Sequence, residues 1–194
     1  EQFLTIKNVP ENPDSLAGNR VFALCARRDG SIWIGTHGGG LNRYDPTTGK
    51  VSRFIHDPSD SNSLPCNTVV SLLEDSQGNL WVGSWNVIDG AFSRFVPETG
   101  TFRRYRHEPD RPGGMRCLVA RTLMEDRAGK IWIGTDGNGI NVFDPNTETF
   151  RINDPDISRT WGLTESFVNC LLEDRAGTIW VGGQNDGLFR YDRE

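Results

Sequence analysis

The chain has 194 residues, of which 36% are hydrophobic, and its mean hydropathy is −0.51. It contains no apolar run of about 18 residues, which excludes a transmembrane helix, and no signal peptide is recognised in it. The net charge of −5 and the lack of a basic cluster exclude a typical nucleic-acid surface, so we expect no nucleic-acid partner and no direct membrane contact.

The first predicted element is a short strand at residues 3–7, followed by a long polar loop. The stretch QFLTIKNVPENPDSLAGNRV has the same pattern as VSRFIHDPSDSNSLPCNTV further along the chain. In both stretches we identify the fourth strand of a repeat, a loop, and the start of the next first strand. The chain therefore opens with the end of one repeat unit.

Four tryptophans recur at a nearly constant spacing. Trp33, Trp81, Trp132 and Trp180 are 48, 51 and 48 residues apart, and each lies in a short apolar strand bounded by glycines, as in DRAGKIWIGT. A period of this size predicts a repeat architecture. We expect these tryptophans to specify the fold and to lie in its core.

Each period contains short segments that alternate apolar and polar residues. In the second period they are VVSLLED, NLWVG, AFSRFVP and TFRRYRH. They are separated by Asp-x-x-Gly and Asp-Pro turns, which are typical of antiparallel hairpins, and no stretch has helical periodicity. Four such strands in about 40–50 residues predict a propeller blade. The predicted fold class is all-β: a β-propeller with four repeats of a four-stranded antiparallel blade.

The last repeat ends after its third predicted strand, in GLFRYDRE. We expect the N-terminal strand at residues 3–7 to pair with it and complete the C-terminal blade, which would cover a sheet edge. Residues 1–194 are assigned to a single propeller domain or propeller segment. A closed ring of four blades, a ring of eight blades shared by two chains, and a segment of a larger propeller remain open.

The pattern V-x-x-L-x-E-D-x-x-G-x-I-W-I-G-T-x-G-x-G-L-N-R-Y-D-P resembles the two-component regulator propeller repeat, from Phe3 to Asp192. This family builds the sensor regions of bacterial hybrid two-component histidine kinases and of some diguanylate-cyclase regulators. The resemblance implies a periplasmic or extracytoplasmic location and a role in signal transduction, often the sensing of polysaccharide breakdown products. It also implies further blades, a β-domain, a membrane helix and a kinase outside these residues.

Strand order predicts which loops share a rim of the propeller. If the first strand of each blade lies nearest the axis, the loops leading into it and the loops between the second and third strands lie on one rim. Two of these loops depart from the repeat, SWNVIDGAF by three extra residues and DISRTWGLTES by an additional Trp. A loop Trp either packs on its own blade or stacks on a sugar ring. Amide, carboxylate and guanidinium groups can bind the hydroxyl groups of such a sugar. We predict a ligand-binding rim formed by Trp85, Asn86, Asp89, Trp161, Arg159, Arg116, His37, Asp136, Asn138 and Asn185.

No catalytic or metal-binding pattern is present in the sequence. It has no G-x-S-x-G or H-E-x-x-H motif, and its Glu-Asp pairs are strand neighbours that point to opposite faces, unlike the two carboxylates of a glycosidase. The four cysteines have no CxxC spacing, so no metal or cofactor is expected, and the disulfide state of Cys66 and Cys117 is open.

We therefore predict a non-catalytic ligand-sensing module, with an oligosaccharide as the expected ligand. The enzymatic alternative is a propeller-type polysaccharide lyase. The third alternative is a protein-interaction or dimerisation platform, with self-association through the propeller surface or through a shared ring.

Overall fold

The chain forms four antiparallel β-sheets, one for each tryptophan repeat. The computed structural model describes residues 3–85, 91–108, 114–115, 117–152 and 167–191. Blade 1 contains β1 (Val21–Ala26), β2 (Ile32–Thr36), β3 (Leu41–Tyr44) and β4 (Val51–Phe54). Blade 2 contains β5 (Val69–Glu74), β6 (Leu80–Ser84), β7 (Phe92–Val96) and β8 (Thr101–Tyr105). Blade 3 contains β9 (Ala120–Glu125), β10 (Ile131–Thr135), β11 (Ile140–Asp144) and β12 (Thr149–Ile152), and blade 4 contains β13 (Val168–Glu173), β14 (Ile179–Gly183) and β15 (Leu188–Tyr191).

The first strand of each blade lies innermost. β1 packs against β5, β5 against β9, and β9 against β13, so the four blades follow one another around a common axis. The remaining strands of each sheet are hydrogen-bonded in chain order and extend outward. This confirms the predicted fold class, an all-β propeller with antiparallel blades. Over the ranges that the structure describes, no helix is long and apolar enough to cross a membrane.

An aspartate in the first hairpin of a blade holds both the turn and the repeat tryptophan. Asp75 Oδ1 accepts hydrogen bonds from the backbone N–H groups of Gln77 (3.0 Å) and Asn79 (2.8 Å), and its Oδ2 accepts one from Trp81 Nε1 (2.8 Å). Because a buried indole N–H needs a partner, this carboxylate fixes the position of the ring. The bond to the indole recurs in the next two blades, in the pairs Asp126–Trp132 (2.7 Å) and Asp174–Trp180 (2.8 Å).

The glutamate before that aspartate links its blade to the preceding one. Glu74 Oε2 in blade 2 accepts a hydrogen bond from the backbone N–H of Arg28 in blade 1 (3.2 Å). Because adjacent side chains along a strand face opposite sides, the aspartate accepts hydrogen bonds from its own hairpin, whereas the glutamate accepts one from the preceding blade. The same backbone bond forms at the other two junctions, in the pairs Ser76–Glu125 (2.6 Å) and Arg127–Glu173 (2.7 Å).

The hydrophobic cores lie between successive blades. Leu41, Phe92 and Ile140 occupy the same position in blades 1, 2 and 3, and they are 0%, 0% and 3% exposed. Each packs in a cluster with the repeat Trp of its own blade and with residues of the following blade. Leu188 has this position in blade 4 and is 67% exposed. The face of blade 4 that points away from blade 3, which we call the trailing face, is uncovered in the described residues.

The N-terminal segment does not pair with blade 4 in the described structure. Residues 3–9 form no strand, Phe3 is exposed, and the described sheet of blade 4 consists of β13, β14 and β15. The loop that follows this segment is held on blade 1, where Leu16 packs beside Ile34 and Arg53 Nε donates to the backbone carbonyl group of Ser15 (2.6 Å). Completion of the last blade by residues 3–7 is therefore not confirmed, and the three ring arrangements stay predictions.

Candidate functional site

One rim of the propeller is built from two kinds of loops that hydrogen-bond to each other. In three blades the backbone N–H of the residue after the second strand donates to the backbone C=O of the residue before the first strand. The pairs are His37 to Arg20 (2.9 Å), Trp85 to Thr68 (2.9 Å) and Gln184 to Phe167 (2.8 Å). The loops that the sequence analysis grouped on one rim are therefore neighbours in blades 1, 2 and 4.

Each inner strand carries a β-bulge at its second residue. In blade 1, Val21 and Ala23 pair with consecutive residues of β2, so Phe22 between them is an extra residue. A bulge redirects the side chain of the extra residue away from the regular alternation. The corresponding residues of the other three inner strands are Val70, Arg121 and Asn169. An aromatic, an aliphatic, a cationic and an amide side chain thus occupy one level of the propeller axis.

These four bulge residues line a single cavity, which we call the axial pocket. Its volume is about 370 Å³. Because every blade contributes one inner-strand residue, the pocket lies where the four inner strands converge. Concave sites that combine apolar side chains with a few polar groups are typical of small-ligand sites. The pocket is lined by Phe22, Val70, Trp85, Val119, Arg121, Asp136 and Asn169.

The polar part of the axial pocket is an ion pair. Arg121 Nη1 donates to Asp136 Oδ1 and also lies 3.3 Å from Gln184 Oε1. The pair offers carboxylate acceptors and guanidinium donors to a ligand's hydroxyl groups. Because the two charges largely cancel, the pocket suits a polar uncharged group better than an ion.

Trp85 is anchored by its backbone, whereas its ring is accessible. Its N–H bonds to Thr68, its carbonyl group accepts a hydrogen bond from Cys66 Sγ (2.9 Å), and it forms an isolated β-bridge with Val119. The residue is 52% exposed at the edge of the axial pocket. A fixed backbone with an open indole face provides a stacking surface for a flat apolar group.

Three other predicted site residues lie on the same rim but do not line the axial pocket. His37 is exposed, and its ring meets the ring of Phe22 edge-on, with centroids 5.8 Å apart. Asn138 is half-buried, and its backbone N–H donates to Thr135 Oγ1 (3.1 Å). Asn185 is exposed in the corresponding loop of blade 4. Of these three, His37 contacts the pocket lining, through Phe22.

The remaining predicted site residues lie outside the described part of the chain: Asn86, Asp89, Arg116, Arg159 and Trp161. Phe22, Val70 and Asn169 are not among the predicted site residues, although the sequence contains a signal for them. The second residue of the inner strand differs in every repeat, while the first is Val or Ala and the fourth is Leu. Side chains that vary at one position of a regular repeat are candidates for ligand contact.

The cysteines are free thiols: Cys25, Cys66, Cys117 and Cys170. Burial raises the pKa of Cys117 to about 12, and it also raises the pKa of Cys66, which lies beside Trp85. Because the thiolate is the nucleophilic form, neither of these two thiols is activated at neutral pH. Cys66 contributes a hydrogen bond that holds the rim loop.

Four segments of the chain match a family model described as Two component regulator propeller: residues 15–38, 63–86, 114–137 and 162–185. Each segment contains the first two strands of one blade and the loops at the rim. The recognised unit therefore includes the bulge that lines the axial pocket. None of the curated proteins matches the chain in sequence.

Solved structures with the same fold include two bacterial extracellular domains. One is described as that of a hybrid two component system from B. thetaiotaomicron; it is 25% identical in sequence and its TM-score is 0.77. The match covers 97% of this chain and 24% of that chain. Another, of a one component system from the same organism, is 23% identical and has a TM-score of 0.72; the match covers 96% of this chain and 22% of that chain. Virginiamycin B lyase from Staphylococcus aureus is 15% identical and has a TM-score of 0.58; the match covers 90% of this chain and 56% of that chain. The chain thus spans about a quarter of the two extracellular domains.

Proposed function

We propose that this chain, which belongs to the two component regulator propeller family, is a ligand-sensing module of a bacterial signalling receptor and binds an oligosaccharide at the axial pocket. The observation that carries the proposal is the convergence of four bulged inner-strand residues and the accessible Trp85 on one cavity. The similarity to extracellular domains supports an extracytoplasmic, periplasmic location.

The chemistry of the pocket favours a sugar. The exposed indole of Trp85 suits the C–H face of a pyranose ring, and the Arg121–Asp136 pair suits its hydroxyl groups. The volume of about 370 Å³ lies near the lower limit for small-molecule sites. We therefore expect the pocket to hold a short part of the glycan, with His37 and Asn185 on the rim within reach of the rest.

We propose that binding is not followed by cleavage of the glycan. The titratable side chains that line the axial pocket in the described residues are Arg121 and Asp136, which are paired with each other. Glycoside hydrolysis requires two carboxyl groups facing the scissile bond, and elimination requires a base that is free to take a proton. The similarity to virginiamycin B lyase concerns the fold alone.

The test is calorimetric titration of the chain with a panel of neutral and acidic oligosaccharides. Trp85→Ala is expected to weaken binding about tenfold or more, because burial of a large apolar side chain contributes on the order of 1.5–3 kcal/mol. Ile55→Ala is the matched control, since Ile55 is also exposed and apolar but follows the outer strand β4. It should leave the affinity unchanged.

Two results would contradict the proposal. Unchanged affinity in both Trp85→Ala and Arg121→Met would place the ligand elsewhere, and absence of binding across the panel would favour the protein-interaction alternative. Shortened glycans in mass spectra after incubation would show a polysaccharide-cleaving enzyme instead. Far-UV circular dichroism confirms that each variant is folded.

A further inference from the structure

Four side chains form a second ring around the axial pocket, next to the ring of bulge residues. Each belongs to the residue that directly follows the second strand of its blade, so its position is the same in every repeat. Two of these residues line the pocket, one contacts Phe22 and one lies beside Arg121. They are His37, Trp85, Asp136 and Gln184. The groups that meet a ligand therefore change from blade to blade at two positions, the bulge residue and this rim residue.

Blade 3 places opposite charges at these two positions. Its bulge residue is Arg121 and its rim residue is Asp136, and the two form the ion pair of the axial pocket. The side chain of Asp136 is 17% exposed, whereas that of Arg121 is 37% exposed. Because a carboxylate is a preferred partner of a guanidinium, Asp136 occupies the place that the carboxylate of an acidic ligand would need.

A second cation lies at the mouth of the pocket. The guanidinium carbon of Arg20 is 5.0 Å from the centroid of the Phe22 ring, and Arg20 is exposed. Among the described residues that line the pocket, Asp136 supplies the negative charge. Without this charge, Arg121 and Arg20 would create a positive potential that attracts anions.

Gln184 of blade 4 helps to hold the guanidinium without neutralising it. Its Oε1 lies 3.3 Å from Arg121 Nη1, the same nitrogen that donates to Asp136. A side-chain amide accepts a hydrogen bond but carries no charge, so the charge of Arg121 is balanced by Asp136. We infer that Asp136 is the specificity-determining residue of the axial pocket: it holds Arg121 and thereby excludes sugars that carry a carboxylate group. This inference rests on the proposed function, because it concerns the ligand of the same pocket.

The experiment removes the charge of Asp136 and keeps its shape. Asp136→Asn is nearly isosteric, and it leaves the guanidinium of Arg121 available to a ligand. The probes are the methyl glycosides of glucose, galactose and mannose and those of the corresponding uronic acids, in which a carboxylate group replaces the terminal hydroxymethyl group. Ligand-detected NMR titrations measure their affinities for the 194-residue chain. Asp136→Asn is expected to bind at least one uronic acid glycoside about tenfold more tightly than the unmodified chain does, because hydrogen bonds between charged groups are strong.

Two further variants show whether the gain comes from this ion pair. Asp186→Asn makes the same change in net charge at an exposed position in the rim loop of blade 4, outside the lining of the pocket. It is expected to leave the binding of uronic acid glycosides unchanged. Arg121→Gln, added to Asp136→Asn, is expected to remove the gain.

The inference is overturned if Asp136→Asn binds the uronic acid glycosides no better than the unmodified chain, if Asp186→Asn gains as much, or if the gain survives Arg121→Gln. The proposed function has a separate readout, which is the binding of neutral oligosaccharides by the unmodified chain. A gain in Asp136→Asn without such binding would support the role of Asp136 and contradict the proposed function. Neutral binding by the unmodified chain without a gain in Asp136→Asn would do the reverse.

Discussion

At the residue scale, the Glu-Asp pairs show how two neighbouring carboxylates come to have different roles. The sequence predicted that the two side chains point to opposite faces and do not form a catalytic pair. In the structure the aspartate accepts from its own Trp, and the glutamate accepts from the preceding blade. Strand geometry separates them, because consecutive side chains point to opposite faces of the sheet. Both carboxylates are therefore part of the framework that holds the axial pocket.

One consequence is a dependence of stability on acid pH. The indole N–H of Trp180, together with nearby backbone N–H groups, holds the pKa of Asp174 below its ordinary value. The stabilisation that comes with a lowered folded-state pKa is fully present above the unfolded-state pKa of about 3.9. It is lost as the pH falls through the folded-state pKa. We expect the free energy of unfolding of Asp174→Asn, measured with urea, to fall less steeply than that of the unmodified chain below about pH 4.

Trp180→Phe is the companion variant for this titration. It removes the indole donor but keeps an aromatic ring, so it should reproduce part of the reduced acid dependence. An acid limb of the same slope in Asp174→Asn and in the unmodified chain would contradict this origin of the lowered pKa.

A second prediction at this scale concerns the glycine two residues after each repeat tryptophan. A Cβ added at Gly83 would collide with the backbone oxygen of Ala120 in the next blade, whereas one at Gly182 meets the side chain of Cys170, which can move. Gly83→Ala is expected to lower the free energy of unfolding by about 2–3 kcal/mol, and Gly182→Ala by about 1 kcal/mol or less. Urea denaturation of both variants checks this, and equal losses would show that close approach of the next blade is not the cause.

At the element scale, the inner strands combine a regular and an irregular part. Their apolar first and fourth residues recur in every blade, and in blades 2 to 4 they pack in the junction with the preceding blade. The bulge directs the second residue into the axial pocket. The sequence predicted these strands correctly but did not predict the bulge. A bulge depends on how a strand pairs with its partner, and periodicity within one segment does not report that.

The junctions between elements provide a matched pair of arginines. Arg127 donates hydrogen bonds to blade 4, and Arg175 is exposed at the equivalent position of the blade 4 repeat. In the 194-residue chain, Arg127→Ala is expected to lower the free energy of unfolding by about 1 kcal/mol, and Arg175→Ala to change it by about 0.5 kcal/mol or less. Urea denaturation monitored by circular dichroism measures both. A loss at Arg175 equal to that at Arg127 would show that the bonds to blade 4 are not the source of stability.

At the scale of the whole molecule, stability is shared between neighbours. Each core contains residues of two successive blades, so a blade buries its trailing face only when another blade follows. This explains why Leu41, Phe92 and Ile140 are buried in the first three blades, whereas the equivalent Leu188 is exposed in the fourth. Repeat proteins of this kind bury continuous cores through stacking rather than within each unit.

The sequence by itself determined the repeat, the all-β class and the strands, because Trp spacing, apolar alternation and Gly turns are local properties. Trp85 and Asp136 were also selected from the sequence as candidate site residues, and both line the axial pocket. Phe22, Val70 and Asn169 emerged from the tertiary structure, which sets the register of each inner strand and brings the four strands together. The expected pairing of residues 3–7 with the last blade is not confirmed, because residues 3–9 form no strand in the described structure and strand pairing depends on tertiary contacts that local pattern does not encode.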